Sequence, residues 1–342
     1  MIVESFRLMK RVQTVFLVLL AFSSILAPTI AAATERTFGE IAGAIVRVKA
    51  VINPGARTAR SLGTERNGSG VVIGKDGLIL TIGYLIMESA TLEVTSHTGQ
   101  IAPADFVAYD HQTGFGLLRA RGDFDIQPLE LGDPSDLKPG APLFIISSGQ
   151  FGGVAPVRAV SRRPFVGYWD YLLDSAIYTM PPHREFAGAA LVDLDGQLVG
   201  VGSLFVGDAL RPESRSPGNL FVPVDLLTPI LSQMIDTGRS GQNPRPWLGV
   251  HATSSQGRLI INSVAPDGPG SEAGLKVGDI IIGVQGRRVS NLEDMFRKVW
   301  SQGDAGSHVS LDILPYGSDS LDIKKVVIRS RDRYGWLRIN TN

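Results

Sequence analysis

Apolar and polar residues alternate with period two over most of the chain, the pattern of half-buried strands. The run Ala44-Ile45-Val46-Arg47-Val48-Lys49-Ala50-Val51 opens the first strand. Ser69–Ile73 and Leu78–Thr81 flank Gly74-Lys75-Asp76-Gly77, a hairpin signal. Thr91–Ser96 and the residues from Gln100 flank Thr98-Gly99, and Leu143–Ile146 is a short buried run. Leu191–Asp193 and Gln197–Val201 flank Asp195-Gly196. Many short strands punctuated by glycine predict a barrel or sandwich. Helical spacing is rare. Leu226, Leu227, Ile230, Leu231 and Met234 predict a helix over Val224–Thr237, with Asp225 as N-cap and Gly238 as its stop.

The polar, Gly- and Pro-bearing stretch Arg239–Pro246 reads as an interdomain linker. A mixed segment follows. Strands are expected at Arg258–Val264, Asp279–Val284, Val309–Leu314 and Ile323–Ile328, with a helical turn at Ser271–Leu275. Ser290-Asn291-Leu292-Glu293 has the form of a capping box. It opens a helix whose Leu292, Met295, Phe296, Val299 and Trp300 share one face.

The first residues follow another pattern. Arg7, Lys10 and Arg11 precede an apolar run from Val15 to Ala27, and Ala31-Ala32-Ala33 is a small-residue cleavage pattern. This predicts a secretory signal peptide over residues 1–33, cut after Ala33, and a periplasmic or secreted mature protein. The alternative is an uncleaved anchor, but the run is shorter than the ~20 residues a span needs.

Composition narrows the chemistry. Lys plus Arg equals Asp plus Glu at 33 each, so no basic excess favours nucleic acid. Cysteine is absent, which removes disulfides, thiolate metal sites and a cysteine nucleophile. The histidines His97, His111, His183, His251 and His308 lack metal-ligand spacing, and no P-loop or EF-hand pattern occurs. Neither a metal nor a cofactor is expected. His111 follows Asp110 directly, but neighbours on a strand point to opposite faces. His183 has no serine partner evident from spacing, and Ser147-Ser148-Gly149 reads as a strand end.

Several motifs resemble the HtrA/Deg family of trypsin-like periplasmic proteases. They are Asn67–Ile73 with Asp76–Thr81, Leu131–Gly140, Leu191–Val201, and Phe221-Val222-Pro223-Val224-Asp225. Trp247-Leu248-Gly249-Val250 and Ala273–Asp279 resemble that family's PDZ domain. The resemblance covers nearly the whole chain after residue 33, in order. It implies a mainly β fold: a double six-stranded β-barrel over 34–238, the linker 239–246, one PDZ domain over 247–331 and a C-terminal tail over 332–342.

Proteolysis in that family needs serine as nucleophile, histidine as base and aspartate to orient it. The run matching the family's histidine motif is Thr81-Ile82-Gly83-Tyr84-Leu85-Ile86, which puts Tyr84 at the histidine position. Gly114, after Asp110-His111-Gln112-Thr113, stands at the aspartate position. Ala187, in Glu185-Phe186-Ala187-Gly188-Ala189-Ala190, stands at the serine position. A phenol is a poor base at neutral pH, and alanine has no oxygen to attack with. Glu185 would also oppose an oxyanion there.

The resemblance further implies a peptide site. Trp247, Leu248, Gly249 and Val250 form the carboxylate loop, His251, Ala252 and Thr253 the receiving strand, and Met295 and Val299 are pocket candidates that a core role would equally explain. The expectation is an exported, inactive HtrA-like protein that binds polypeptide segments or C-termini as a scaffold or chaperone. The alternatives are an active endopeptidase using atypical residues, and an inactive subunit of a mixed oligomer with an active relative. Phe38 is the residue available for a trimer contact of the family kind.

Overall fold

The computed structural model describes residues 37–122, 124, 126–149, 153–317 and 322–338. The expected signal peptide lies outside the described residues. Among those residues, no helix is long and apolar enough to cross a membrane.

A short helix, α1 (Phe38–Gly43), leads into the first barrel. Thr37 and Glu40 form its reciprocal capping box. The barrel strands are β1 (Ile45–Ile52), β2 (Glu65–Val72), β3 (Leu78–Ile82), β4 (Ser89–Thr95), β5 (Ile101–Tyr109) and β6 (Phe115–Ala120), closed in the order β1-β2-β3-β6-β5-β4. Closure removes free edges. Val46, Val48, Ala50 and Ile52 alternate inward with exposed Arg47, Lys49 and Val51 outward, as the sequence pattern predicts. Two short helices interrupt the strands: α2 (Ala59–Leu62), and α3 (Gly83–Ile86), which follows β3 directly.

The second barrel holds β7 (Pro142–Ser147), β8 (Gly153–Gly167), β9 (Tyr171–Met180), β10 (Ala190–Val192), β11 (Leu198–Val206) and β12 (Gly218–Pro223), closed as β10-β11-β12-β9-β8-β7. β8 and β9 form a long hairpin with Tyr168, Trp169 and Asp170 at its tip.

The helix expected over Val224–Thr237 is broken. A 3₁₀ turn spans Val224–Leu226, and α4 spans only Leu231–Thr237. Pro229 explains the gap: it has no N–H to donate, and it disfavours the α region for Thr228 before it. Asp225 therefore caps nothing by its side chain, whereas Gly238 does end the helix, in the left-handed region at φ 80°.

The C-terminal sheet runs β13 (Val250–Ser255), β14 (Arg258–Val264), β15 (Ile280–Val284), β17 (His308–Leu314), β18 (Lys324–Arg329), with β16 (Arg287–Arg288) paired to β15. Its helices are α5 (Pro269–Glu272) and α6 (Leu292–Trp300). The α6 cap lies one residue later than the expected capping box. Asn291 accepts from Asp294 N, while Ser290 N and Oγ donate to Asp294 Oδ2 at 2.9 and 3.1 Å.

The stretch 239–246 does not hang free. Ser240 is buried and hydrogen-bonds the Asp110 carboxylate at 2.5 Å, and the Arg245 guanidinium stacks on Trp300 at 4.2 Å. Residues 332–338 form a strap with one helical turn, α7 (Arg333–Trp336). Leu337 packs with Met87 and Tyr109 of the first barrel. Trp336 lies 5.0 Å from Trp247 of the C-terminal domain.

Candidate functional site in the cleft and the peptide groove

Tyr84, Gly114 and Ala187, the positions expected to correspond to the triad, converge where the barrels meet. Gly68 of β2 sits between two of their segments: a Cβ there would lie 2.4 Å from Leu85 and 2.8 Å from the Ala187 carbonyl. Gly83 N, beside Tyr84, donates to Gly114 O at 2.7 Å.

Tyr84 lies on α3, and its hydroxyl crosses to the second barrel to donate to Ser203 O at 2.8 Å. Burial pushes that phenol well above its ordinary value near 10, so it stays a neutral donor at every physiological pH. Gly114 adopts φ 83°, and a Cβ there would lie 2.9 Å from the Tyr171 hydroxyl. Tyr171 thus fills the space a side chain at 114 would need, and its hydroxyl donates to Thr113 O at 2.5 Å.

Ala187 sits in a tight turn fixed from both sides. Ser69 N donates to Ala187 O at 2.8 Å, Ala189 N to Phe186 O at 3.0 Å, and Gly188 N to Gly202 O at 2.8 Å. Gly188 has φ 71°, and a Cβ would come within 2.0 Å of Ser69 O, so only glycine fits. The turn is closely packed, with a methyl group at its apex.

The cleft also holds a pair that spacing did not reveal. Ser147 ends β7, and its Oγ lies 3.0 Å from His183 Nε2 and 3.4 Å from Glu185 Oε2. Asn219, on β12, holds His183 by its backbone: His183 N donates to Asn219 Oδ1 at 2.6 Å, and Asn219 Nδ2 to His183 O at 3.0 Å. The 36 residues between serine and histidine hid the contact; only strand order brings them together. A serine hydrogen-bonded to an imidazole has the form of a nucleophile and base. Ser147 is buried, however, and the Glu185 carboxylate crowds Gly149, where a Cβ would meet it at 2.0 Å.

In the C-terminal domain the residues of the expected carboxylate loop are buried. Gly249 adopts φ 68°, Gly270 N donates to Leu248 O at 2.7 Å, and Ala265 N to Gly249 O at 2.8 Å. Trp247 exchanges two backbone hydrogen bonds with Arg331, each 3.0 Å. β13 is the edge strand of its sheet, so its outer side is unpaired by the sheet. Along it His251 is half-buried, Ala252 buried and Thr253 exposed. Met295 and Val299 pack inside the domain core with Leu248, Val250 and Phe296. The β8–β9 hairpin approaches this side: Val166 packs on that core, Tyr168 lies 5.8 Å from the His251 ring, and Asp174 pairs with Arg297 of α6 at 2.5 Å. Phe38 is half exposed and packs edge-on against Phe144 at 5.0 Å.

Comparison with known proteins fits this arrangement. Residues 68–201 match the trypsin-like peptidase domain family, and residues 246–321 the PDZ domain family. The serine endoprotease DegS of Haemophilus influenzae is 28% identical over 267 residues, 73% of this chain and 74% of that protein. The serine protease PepD of Mycobacterium tuberculosis is 29% identical over 295 residues, 79% of this chain, which spans only 62% of that relative's length. Among solved structures, the serine endoprotease from Yersinia pestis superposes with a TM-score of 0.50 at 21% identity, covering 87% of this chain and 98% of that one. An HtrA-type protease, AlgW, solved with a decapeptide gives 0.51 at 17% identity, covering 89% and 100%. By its two closed barrels, its domain order and these relatives, the chain belongs to the HtrA family, with a trypsin-like peptidase domain followed by one PDZ domain.

Proposed function

We propose that this protein is an exported, proteolytically inactive HtrA-like polypeptide-binding protein. Its PDZ domain would capture C-termini or extended segments in a scaffold or chaperone role. The observation that carries the reading is Ala187: at the apex of the turn that matches the nucleophile's stands a methyl group, with the Tyr84 hydroxyl committed to Ser203 O. Neither side chain can exchange a proton with a substrate near neutral pH. Export to the periplasm is supported by the N-terminal pattern and by relatives named as probable periplasmic serine endoproteases, such as the DegP-like protein of Bartonella henselae. Peptide binding is supported by the positive-φ Gly249 loop beside the edge strand β13.

The test has two arms. The purified chain is incubated with a fluorophosphonate probe and with casein; absence of labelling and of cleavage is expected. A library of C-terminal peptides is then titrated by fluorescence anisotropy, as free acids and as amides. Acid forms should bind tenfold to a hundredfold better, because a carboxylate accepts charge-assisted hydrogen bonds worth ~1.5–3 kcal/mol. Equal affinity for both forms would remove the C-terminus reading and leave capture of internal segments.

Two further readings have an observation behind them. The Ser147–His183 contact favours an endopeptidase with atypical residues, and most of the relatives bear protease names. Stoichiometric labelling of Ser147 would establish it. The half-exposed Phe38 favours assembly into a homotrimer or a mixed oligomer with an active relative, which sizing in solution with and without that relative decides.

A further inference from the structure

In the strap that joins the PDZ domain to the first barrel, Arg333 is set among titratable groups from several elements. Its Nη1 lies 3.0 Å from His111 Nε2 and also donates to Trp169 O at the hairpin tip. Arginine only donates and does not lose its proton, so His111 Nε2 must accept. His111 is therefore a neutral imidazole whose Nδ1 proton points to the Tyr109 hydroxyl, 2.9 Å away. A protonated His111 would set an N–H and a positive charge against the guanidinium at that 3.0 Å contact.

We propose that the His111–Arg333 contact is an acid-sensitive latch: protonating His111 expels Arg333, and with it the strap that fixes the PDZ domain against the barrel.

The neighbouring groups decide the net direction. Burial, then the Arg333 charge, hold His111 well below its ordinary value. The same two causes lower His251, on β13, to about 4. Release of the strap takes the Arg333 charge away from both, so acid favours release through each. Asp170, at the hairpin tip, acts the other way. Burial raises its carboxyl to about 7, against the pull of Arg333, so it takes up a proton in the closed form first and acid favours closure through it. Tyr109 is pushed up to about 12 and does not titrate in this range. Asp110 is engaged by Thr113 N and Oγ1 and by Ser240, and Asp332 by Arg239. Arg245, on the preceding segment, keeps its charge throughout. Glu88, which receives Arg338 N at 2.8 Å, lies below its ordinary value and stays ionised above pH 5.

Towards acid the two histidines favour release and Asp170 opposes it, and the latch requires the histidines to prevail. The readout is amide hydrogen exchange of Leu337 and Arg338 in the full chain, corrected for the intrinsic pH dependence of exchange. Protection should fall severalfold between pH 7.5 and pH 5. Asp170→Asn removes the counterweight, and the fall should steepen. Glutamine can accept from Arg333 without titrating, so the double variant His111→Gln/His251→Gln should instead gain protection towards acid. Protection that is flat or rising in the unmodified protein, or a fall in the double variant equal to the unmodified one, would overturn the latch. The Asp170→Asn arm leaves His111 untouched, so it decides the matter even where the histidine variants fold poorly.

Discussion

The Tyr84 phenol is committed to a hydrogen bond that crosses from one barrel to the other. Tyr84→Phe would remove the donor to Ser203 O and leave that carbonyl unpaired, at a cost of about 1–3 kcal/mol in urea denaturation. Ala187→Ser would restore an oxygen but no base. The expected outcome is no reaction with a fluorophosphonate probe, because Tyr84 remains a neutral donor and Tyr171 fills the space beside Gly114. Labelling of the introduced serine would show that another group, such as His183 four residues earlier in the chain, can reach it. The expectation at 84, 114 and 187 rested on the motif frames alone, and the contacts these residues make were not legible there. The Tyr84–Ser203 bond spans 119 residues, and only the docking of one barrel on the other creates it. The Ser147–His183 pair was hidden in the same way, each residue looking inert on its own strand or loop.

Elements with clean alternation were read correctly: β1, the β2–β3 and β4–β5 hairpins, and most strands of the PDZ sheet. The long β8–β9 hairpin gave no such signal, because Arg162, Arg163, Pro164 and Gly167 break its alternation with side chains that are not buried apolar ones. Yet this hairpin carries Tyr168 to His251 and Val166 to the PDZ core, so the least legible element shapes the side of the groove. The helix at 224–237 failed for the opposite reason: its apolar spacing was sound, but Pro229 overrode it. Two predictions belong here. Asn291→Ala should destabilise the PDZ domain by about 1 kcal/mol, since Asn291 Oδ1 accepts from Asp294 N at 2.8 Å and caps α6. Gly249→Val should abolish binding of free-acid peptides, since φ 68° is strained for valine and a Cβ there would already lie 3.2 Å from the Trp247 ring. Anisotropy titration beside a circular-dichroism melt separates lost binding from lost folding.

Across the whole molecule, the segment read as a tail joins the two domains. Residues 332–338 touch both. Arg338 N donates to Glu88 and its guanidinium to Gly55 O at 2.9 Å, on the barrel side. Trp336 Nε1 donates to Pro266 O at 3.1 Å, and its ring packs on Trp247, on the PDZ side. Arg57 of the barrel covers the Trp336 ring at 5.2 Å and pairs with Asp267 of the PDZ domain at 2.8 Å, closing the seam from the other direction. Composition gave no warning, because a polar C-terminal stretch with a few aromatics reads equally well as solvated chain. Each domain has its own core, so the strap is not needed to fold either; it is needed to couple them. A chain ending at Arg331 should therefore remain folded but lose cooperativity. Burying Leu337 alone is worth ~1.5–3 kcal/mol, and its loss uncovers Met87 and Tyr109 as well. In differential scanning calorimetry the full chain should unfold in one transition, and the truncated chain in two, with the PDZ transition moving to lower temperature. A single, unshifted transition after truncation would mean that the hairpin contacts, Tyr168 on His251 and Asp174 with Arg297, suffice to hold the domains together, and that the strap only lies along the surface they create.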